Sequence, residues 1–238
     1  MSSVTAEVGD AYDAVAADYD ADLASQRWVR RVLWSLMDRR FRAGDRVIDV
    51  GCGTGIDTLH LASRGVHVTA IDASPSMMRE LRARVDHLGL GSRVVTHVGD
   101  ALSVLARLPE QSPRVDGIVS SFAAMNTIDL GAFATAASRV LAPSGTCTMH
   151  LLAPAYGRGK TVRILSTLLG VGGDQRHDVN IRGHWLSHRL GHRREIYRTY
   201  FGDGFSLLRH RRLDIAMTVT SGGRFFILDL RRSGRDPV

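Results

Sequence analysis

Two carboxylates and three closely spaced glycines are the residues of this 238-residue chain best suited to chemistry on a ligand. Gly51, Gly53 and Gly55 alternate with Cys52 and Thr54 directly after the apolar run Val47-Ile48-Asp49-Val50. A glycine turn between a strand and a helix exposes backbone N–H groups at the helix N-terminus and lets a ligand come close. The Gly-x-Gly-x-Gly spacing is tighter than the G-x-G-x-x-G of dinucleotide-binding loops. Asp49, just inside the strand end, would repel a pyrophosphate and suits a cation such as the α-ammonium of an amino acid. Asp72 closes the next strand-like run, 17 residues after Gly55, where a carboxylate can accept both hydroxyls of a ribose.

These groups need a scaffold that brings strand ends together, and the hydrophobic pattern supplies one. Short β-branched runs at 46–50, 67–71, 94–98, 115–120 and 146–152 predict strands, separated by helical patterns at 56–64, 75–88 and 130–141. Ser74-Pro75 predicts an N-cap followed by proline in the first turn. Alternation at this spacing implies an α/β fold with a mainly parallel sheet and helices on both faces. Before it, residues 1–44 read as helical: Tyr12, Val15, Ala16 and Tyr19 share one helical face, and Trp28, Val32, Leu33, Leu36 and Met37 form a second stripe that Gly44 ends. Beyond Pro154 the regularity fails. Residues 154–193 are rich in Gly, Arg and His, with a helical patch at Val162, Leu165, Leu168 and Leu169. Strand-like stretches return at Glu195–Phe201, Ser206–Leu213 and Arg224–Leu230, which would complete the sheet within residues 194–238.

Four elements in order carry a family resemblance. Val47-Ile48-Asp49-Val50-Gly51-Cys52-Gly53-Thr54-Gly55 resembles the first motif of the class I S-adenosylmethionine-dependent methyltransferases. Asp72-Ala73-Ser74-Pro75-Ser76-Met77 is similar to the second, Val98-Gly99-Asp100-Ala101 to the third and Val115-Asp116-Gly117-Ile118-Val119-Ser120-Ser121-Phe122 to the fourth. The pair Tyr12-Asp13 and Tyr19-Asp20 resembles the N-terminal helix that closes over the cofactor in small-molecule members. The resemblance spans roughly residues 10–153. It implies one domain with a Rossmann-like, doubly wound, seven-stranded sheet, mostly parallel with an antiparallel last strand. Residues 1–44 would be a helical lid carrying Tyr12 and Tyr19, 45–153 the cofactor-binding core and 154–193 an inserted substrate cap. The cofactor would be S-adenosyl-L-methionine and the product S-adenosyl-L-homocysteine. Gly51, Cys52, Gly53 and Gly55 would pack on the methionine portion with Asp49 near its ammonium. Asp72 and Ala73 would take the ribose, Met77 the adenine face, Asp100 and Ala101 the adenine edge. Ser121 and Phe122 would line the channel to the sulfonium. Two of these positions have a second explanation: Met77 as core packing and Asp100 as a helix N-cap.

A sulfonium methyl is already activated, so such an enzyme must chiefly align the acceptor and exclude water. A base is needed only when the acceptor has to lose a proton. His150, on the fifth strand, is the candidate, with His177, His184, His188 and His192 further along. Arg182, His184 and Arg189, with Asn126 after the fourth strand, are the candidate acceptor contacts, and the arginines suggest a carboxylate or phosphate on the acceptor. Ser120-Ser121-Phe122-Ala123 stands where exocyclic-amine nucleic-acid methyltransferases carry Asn/Asp-Pro-Pro-aromatic. Asp116 and Asp129 alone make a poor metal-ligand set, so no metal is expected.

Composition agrees with a small-molecule enzyme. The chain has 31 Lys+Arg against 24 Asp+Glu, a formal charge of +7. That favours anionic partners, but Lys160 is the sole lysine and exposed aromatics are sparse, so an RNA substrate is the alternative and a non-catalytic cofactor-binding regulator a third reading. Cys52 and Cys147 make no disulfide framework, the opening residues lack an apolar signal core and no run could span a bilayer, so a cytoplasmic protein without membrane insertion is expected.

Overall fold

The computed structural model describes residues 3–22, 27–111, 114–153, 175–191, 193–208 and 224–233. Its strands are β1 (Arg46–Val50), β2 (His67–Asp72), β3 (Val94–Val98), β4 (Val115–Ser120), β5 (Leu141–Ala153), β6 (Gln175–Ile181), β7 (His184–Leu190), β8 (Phe205–Leu207) and β9 (Arg224–Arg232). Seven of them form one sheet in the order β3-β2-β1-β4-β5-β9-β8, and β6 pairs with β7 alone. The five strands β1 to β5 are parallel, while β9 runs antiparallel to β5 and β8. This is the doubly wound, mostly parallel seven-stranded sheet with an antiparallel last strand that the family resemblance implies.

Helices α1 (Ser3–Asp13), α2 (Tyr19–Asp22) and α3 (Arg27–Arg40) precede the sheet, and α4 (Ile56–Ser63), α5 (Pro75–His87), α6 (Ala101–Gln111) and α7 (Leu130–Val140) connect its strands. Strand alternation sorts the core into two layers. Ile48 and Val50 face one side with Ile71, Ile118, Met149 and Phe133; Val47 faces the other with Val68, Leu33, Leu61 and Leu81. By the same alternation Asp49 lies on the α3-α4-α5 side. Ser74 caps α5 as expected, its Oγ accepting the Met77 N–H at 3.0 Å, with Pro75 in the first turn.

Three local expectations fail for identifiable reasons. The helix anticipated through Tyr12–Tyr19 stops at Asp13 and a turn spans residues 14–18 before α2. The apolar residues still converge, because Val15, Ala16 and Met77 bury together with Tyr12 and Tyr19 beside them. Glu195–Phe201 is not a strand: α8 (Arg193–Ile196) runs into a π-turn at Tyr197–Phe201. There Ile196 and Phe201 are buried while Arg198 and Thr199 are exposed, a helical stripe that aromatic and β-branched content disguises as a strand. Residues 175–190 form a hairpin that composition concealed. Its turn, Arg182-Gly183, has φ of 46° and 96°, the two positive values a two-residue turn requires, without the usual Asn-Gly signature. The helical patch at 162–169 and positions 209–213 lie outside the described residues.

The last turn of α3 is tied across the sheet. Arg40 donates to Asp229 of β9 at 2.8 Å and to Thr148 of β5 at 2.9 Å, and Asp229 is only 1% exposed. Removing one partner of a buried pair strands the other charge in low dielectric. Arg40→Met is therefore expected to cost about 3 kcal/mol in urea unfolding, and the double change Arg40→Met with Asp229→Leu should recover part of it.

Candidate functional site

At the C-terminal ends of β1, β2 and β4 the parallel strands open onto a cavity of about 520 Å³. Doubly wound sheets bind ligands at this edge, where the strand order reverses. Here the reversal falls between β1 and β4. Gly51, Gly53, Asp72, Ala73, Asp100 and Ala101 form its floor. Tyr12 and Tyr19 enter from the N-terminal segment, Ser121 and Phe122 from the turn after β4, and Asn126 and Arg189 from the far end.

The glycine loop is required by its neighbours. A Cβ on Gly51, whose φ is 67°, would sit 2.3 Å from the Ala124 Cβ, and one on Gly55, with φ 84°, would sit 2.1 Å from Leu81. Both positions combine left-handed backbone with direct contact, so only glycine fits. Asp72 fastens the loop: one carboxylate oxygen accepts the Gly53 N–H at 2.8 Å and the other accepts the Ser74 N–H at 2.9 Å. Burial raises its pKa, and the Ser74, Gly53 and Ala73 N–H groups oppose that rise. With these donors in place the carboxylate still lines the cavity as a hydrogen-bond acceptor. The Tyr12 phenol is pushed up to about 12 by burial and by Asp72, and Tyr19 is pushed further up, chiefly by burial. Both rings therefore stand over the glycine loop as neutral donors. Ser121 Oγ is buried and has no hydrogen-bond partner among the described residues.

Other expected ligand contacts lie behind this surface. Asp49 does not line the cavity; it is 1% exposed and accepts a 2.6 Å hydrogen bond from Thr58 of α4. Burial, reinforced by Asp57, raises its pKa to about 7. Cys52 and Gly55 shape the loop from beneath, and Met77 is fully buried in the packing between α5 and the N-terminal segment. Asp100 reaches the cavity and also caps α6, accepting the Ser103 N–H at 2.9 Å, while Thr5 of α1 donates to its other oxygen at 3.2 Å. The N-cap explanation of Asp100 is thus realised in a side chain that also faces the cavity.

The acceptor candidates separate. Arg189 lines the cavity. Asn126 lines it too, yet its amide donates to the Leu152 and Arg189 carbonyls and accepts the Leu152 N–H, which makes it a clamp between β5 and β7. Arg182 is elsewhere: at the hairpin tip it pairs with Asp18 at 2.7 Å and donates to the Ala14 carbonyl. His184 is exposed outside the cavity, His188 is buried with Nδ1 against the Leu186 carbonyl, and His192 falls outside the described residues. The hairpin contributes residues that the sequence did not single out, among them Asp178, Trp185 and Ser187, with Glu7 from α1. Their only signal was the alternation of 184–190, masked by its histidines and arginines.

Comparison with known proteins follows this geometry. Residues 47–145 match the family model described as a methyltransferase domain. Within residues 47–145 the chain is thus similar to methyltransferase domains, and its solved neighbours share the fold. It is 33% identical over 147 residues to a demethylmenaquinone methyltransferase of Tropheryma whipplei, covering 59% of this chain and 57% of that one. It is 35% identical over 147 residues to a malonyl-[acyl-carrier protein] O-methyltransferase of Geobacter sulfurreducens, covering 58% of this chain and 50% of the relative. The chain thus spans about half the length of these curated relatives. Among solved structures, magnesium protoporphyrin IX methyltransferase from Synechocystis superposes with TM-score 0.55 at 21% identity, covering 87% of this chain and 82% of that one. A glycopeptide N-methyltransferase superposes with TM-score 0.58 at 15% identity, covering 84% and 87%. At such identities the likeness is one of fold.

His150, the expected base, stands one layer behind the cavity. It is fully buried, its Nδ1 accepts the Phe122 N–H at 3.2 Å, and its carbonyl accepts the Ala123 N–H at 3.0 Å. Its ring stacks on Phe225 with centroids 4.6 Å apart and meets the Phe122 ring edge-on. Burial, helped by Arg30, lowers its pKa to about 3. A neutral imidazole with Nδ1 as acceptor suits a positioning residue. What it positions is strained: Phe122 and Ala123 have φ of 54° and 68°, left-handed values uncommon outside glycine. Arg30 stacks 4.5 Å over the Phe122 ring and fixes its other face. His150→Leu should lose about 1–3 kcal/mol of stability by leaving the Phe122 N–H unmet. His150→Asn, whose Oδ1 can stand in for Nδ1, should lose less; equal losses in urea unfolding would contradict the assignment.

Proposed function

We propose that the chain binds S-adenosyl-L-methionine in this cavity and transfers its methyl group to a small-molecule oxygen or nitrogen acceptor, releasing S-adenosyl-L-homocysteine. The single observation that carries the reading is the juxtaposition of Asp72, Asp100 and the Gly51–Gly53 turn on one cavity floor, under Tyr12 and Tyr19. The residues fit the cofactor. Asp72 offers its carboxylate to the ribose, and Asp100 with Ala101 stands one strand along for the adenine edge. Gly51 and Gly53 leave room for the methionine portion. Asp49 braces the loop through Thr58 and contributes negative potential from below, a longer-range role than direct contact with the ammonium. When bound, the sulfonium supplies an electrophilic methyl: the acceptor lone pair forms the new bond to carbon while the C–S pair returns to sulfur.

The residues of the chain then have three tasks. The Phe122 turn, held by His150 and Arg30, sets the wall against which the acceptor must align. The aromatic pair Tyr12 and Tyr19 covers the loop and keeps water from it. The proton of an O–H or N–H acceptor leaves to solvent, since the neutral buried His150 is out of reach. The alternative of an RNA acceptor draws on the +7 charge alone, and the carboxylates of the cavity work against a polyphosphate entering it.

Calorimetry tests the reading directly. S-adenosylhomocysteine should bind to one site per chain, and NAD should give no saturable heat. Asp72→Ala should weaken that binding by about 100-fold, since it removes charge-assisted hydrogen bonds of roughly 1.5–3 kcal/mol and frees the Gly53 loop. Binding of NAD in preference, or indifference to Asp72→Ala, would overturn it.

A further inference from the structure

The hairpin turns one face toward the acceptor end of the cavity, and strand register shows which residues share it. In β7, Trp185, Ser187 and Arg189 alternate along a single face. Asp178 of β6 is paired directly with Ser187, so the two project to the same side. All four line the cavity. The opposite face of β7, with Leu186, His188 and Leu190, is buried, Leu186 also bordering the cavity. A two-stranded hairpin with one buried face would ordinarily expose a polar outer surface. Here it presents Trp185, 67% exposed, the most exposed of the large hydrophobic side chains among the described residues. An indole left open at a cavity rim costs apolar hydration that a stacked ligand removes.

The charge of the lining narrows that ligand. Among the described residues that line the cavity, Glu7, Asp72, Asp100, Asp129 and Asp178 are acidic and Arg189 alone is basic. Asp72 and Asp100 belong to the floor already described and Glu7 comes from α1, which leaves Asp129 and, on the hairpin, Asp178. Asp129 uses one oxygen to cap α7 through the Gly131 and Ala132 N–H groups, both at 2.9 Å. An anionic acceptor would be repelled by this wall, whereas hydroxyl or amino hydrogens would find acceptors in it. The positive charge that the sequence concentrates in 176–194 does not reverse this, because Arg182 is spent on Asp18 and the Ala14 carbonyl.

We propose that the acceptor is a flat aromatic molecule, neutral or cationic, that stacks on Trp185 and turns a hydroxyl or amino group inward past Asp178 and Ser187. This inference rests on the methyl-transfer reading. The acceptor oxygen or nitrogen forms its bond to the methyl carbon, the C–S pair stays with sulfur, and the O–H or N–H proton passes to water.

The test uses the full chain saturated with S-adenosylhomocysteine and two flat probes, 6-hydroxyquinoline and quinoline-6-carboxylate. The hydroxyl probe should bind at least tenfold more tightly than the carboxylate probe. Trp185→Ala should weaken it about tenfold and Trp185→Phe should restore most of that loss. Asp178→Asn should narrow the preference between the probes. S-adenosylhomocysteine affinity, measured in the same titrations, should be the same in all three variants. Tighter carboxylate binding, or hydroxyl-probe affinity indifferent to Trp185→Ala while S-adenosylhomocysteine still binds, would overturn the acceptor class alone. Failure of S-adenosylhomocysteine to bind the unaltered chain would instead overturn the methyl-transfer reading beneath it.

Discussion

The carboxylate of Asp72 joins two turns, adding to the hold that the Ile71 carbonyl already has on the Gly51 and Cys52 N–H groups. One of its oxygens holds the backbone of the glycine loop after β1 and the other holds the turn that opens α5 after β2. Because both turns are short and glycine- or proline-constrained, fixing two N–H groups fixes the whole floor. The carboxylate is buried, so its hydrogen bonds meet little competition from water. It also lines the cavity, so the group that builds the floor can meet a ligand without rearrangement. Preorganisation of this kind lets binding free energy go to alignment, with little lost to ordering the loop.

The parallel core was legible because hydrophobic period and turn chemistry agree there. Val47-Ile48-Asp49-Val50 is apolar on both faces, as a strand covered by helices must be, and Ser74-Pro75 announces a helix start that the structure realises. Legibility ends where pattern and tertiary context diverge. The stripe of Ile196, Tyr197, Tyr200 and Phe201 satisfies a helix as well as a strand, and packing against Phe133 of α7 decides the matter. Arg182-Gly183 turns a hairpin whose strands carry histidine and arginine at positions a pattern reader assigns to solvent.

The site divides in the same way. Floor residues tied to backbone geometry, Gly51, Gly53 and Asp72, could be read from type and spacing, since few other residues could stand there. Residues whose role depends on a distant partner could not. Asn126, read as an acceptor contact, lines the cavity and is also a clamp, because Leu152 and the Arg189 carbonyl lie within reach only after folding. Arg182 looked like a substrate arginine until the chain brought Asp18 to it across more than 160 positions. Trp185, silent in one dimension, acquires meaning only through the cavity beneath it.

The left-handed pair Phe122–Ala123 sets stability against precision. A non-glycine residue held at positive φ costs of order 1 kcal/mol, and Ala123, with its small side chain, is the member where glycine would relieve that cost most simply. Glycine there would also widen the range of backbone angles the turn can visit, so the wall beside the reacting atoms would lose its definition. A search for thermostable forms of this protein will meet a tempting substitution at position 123 that makes the chain sturdier and the alignment poorer.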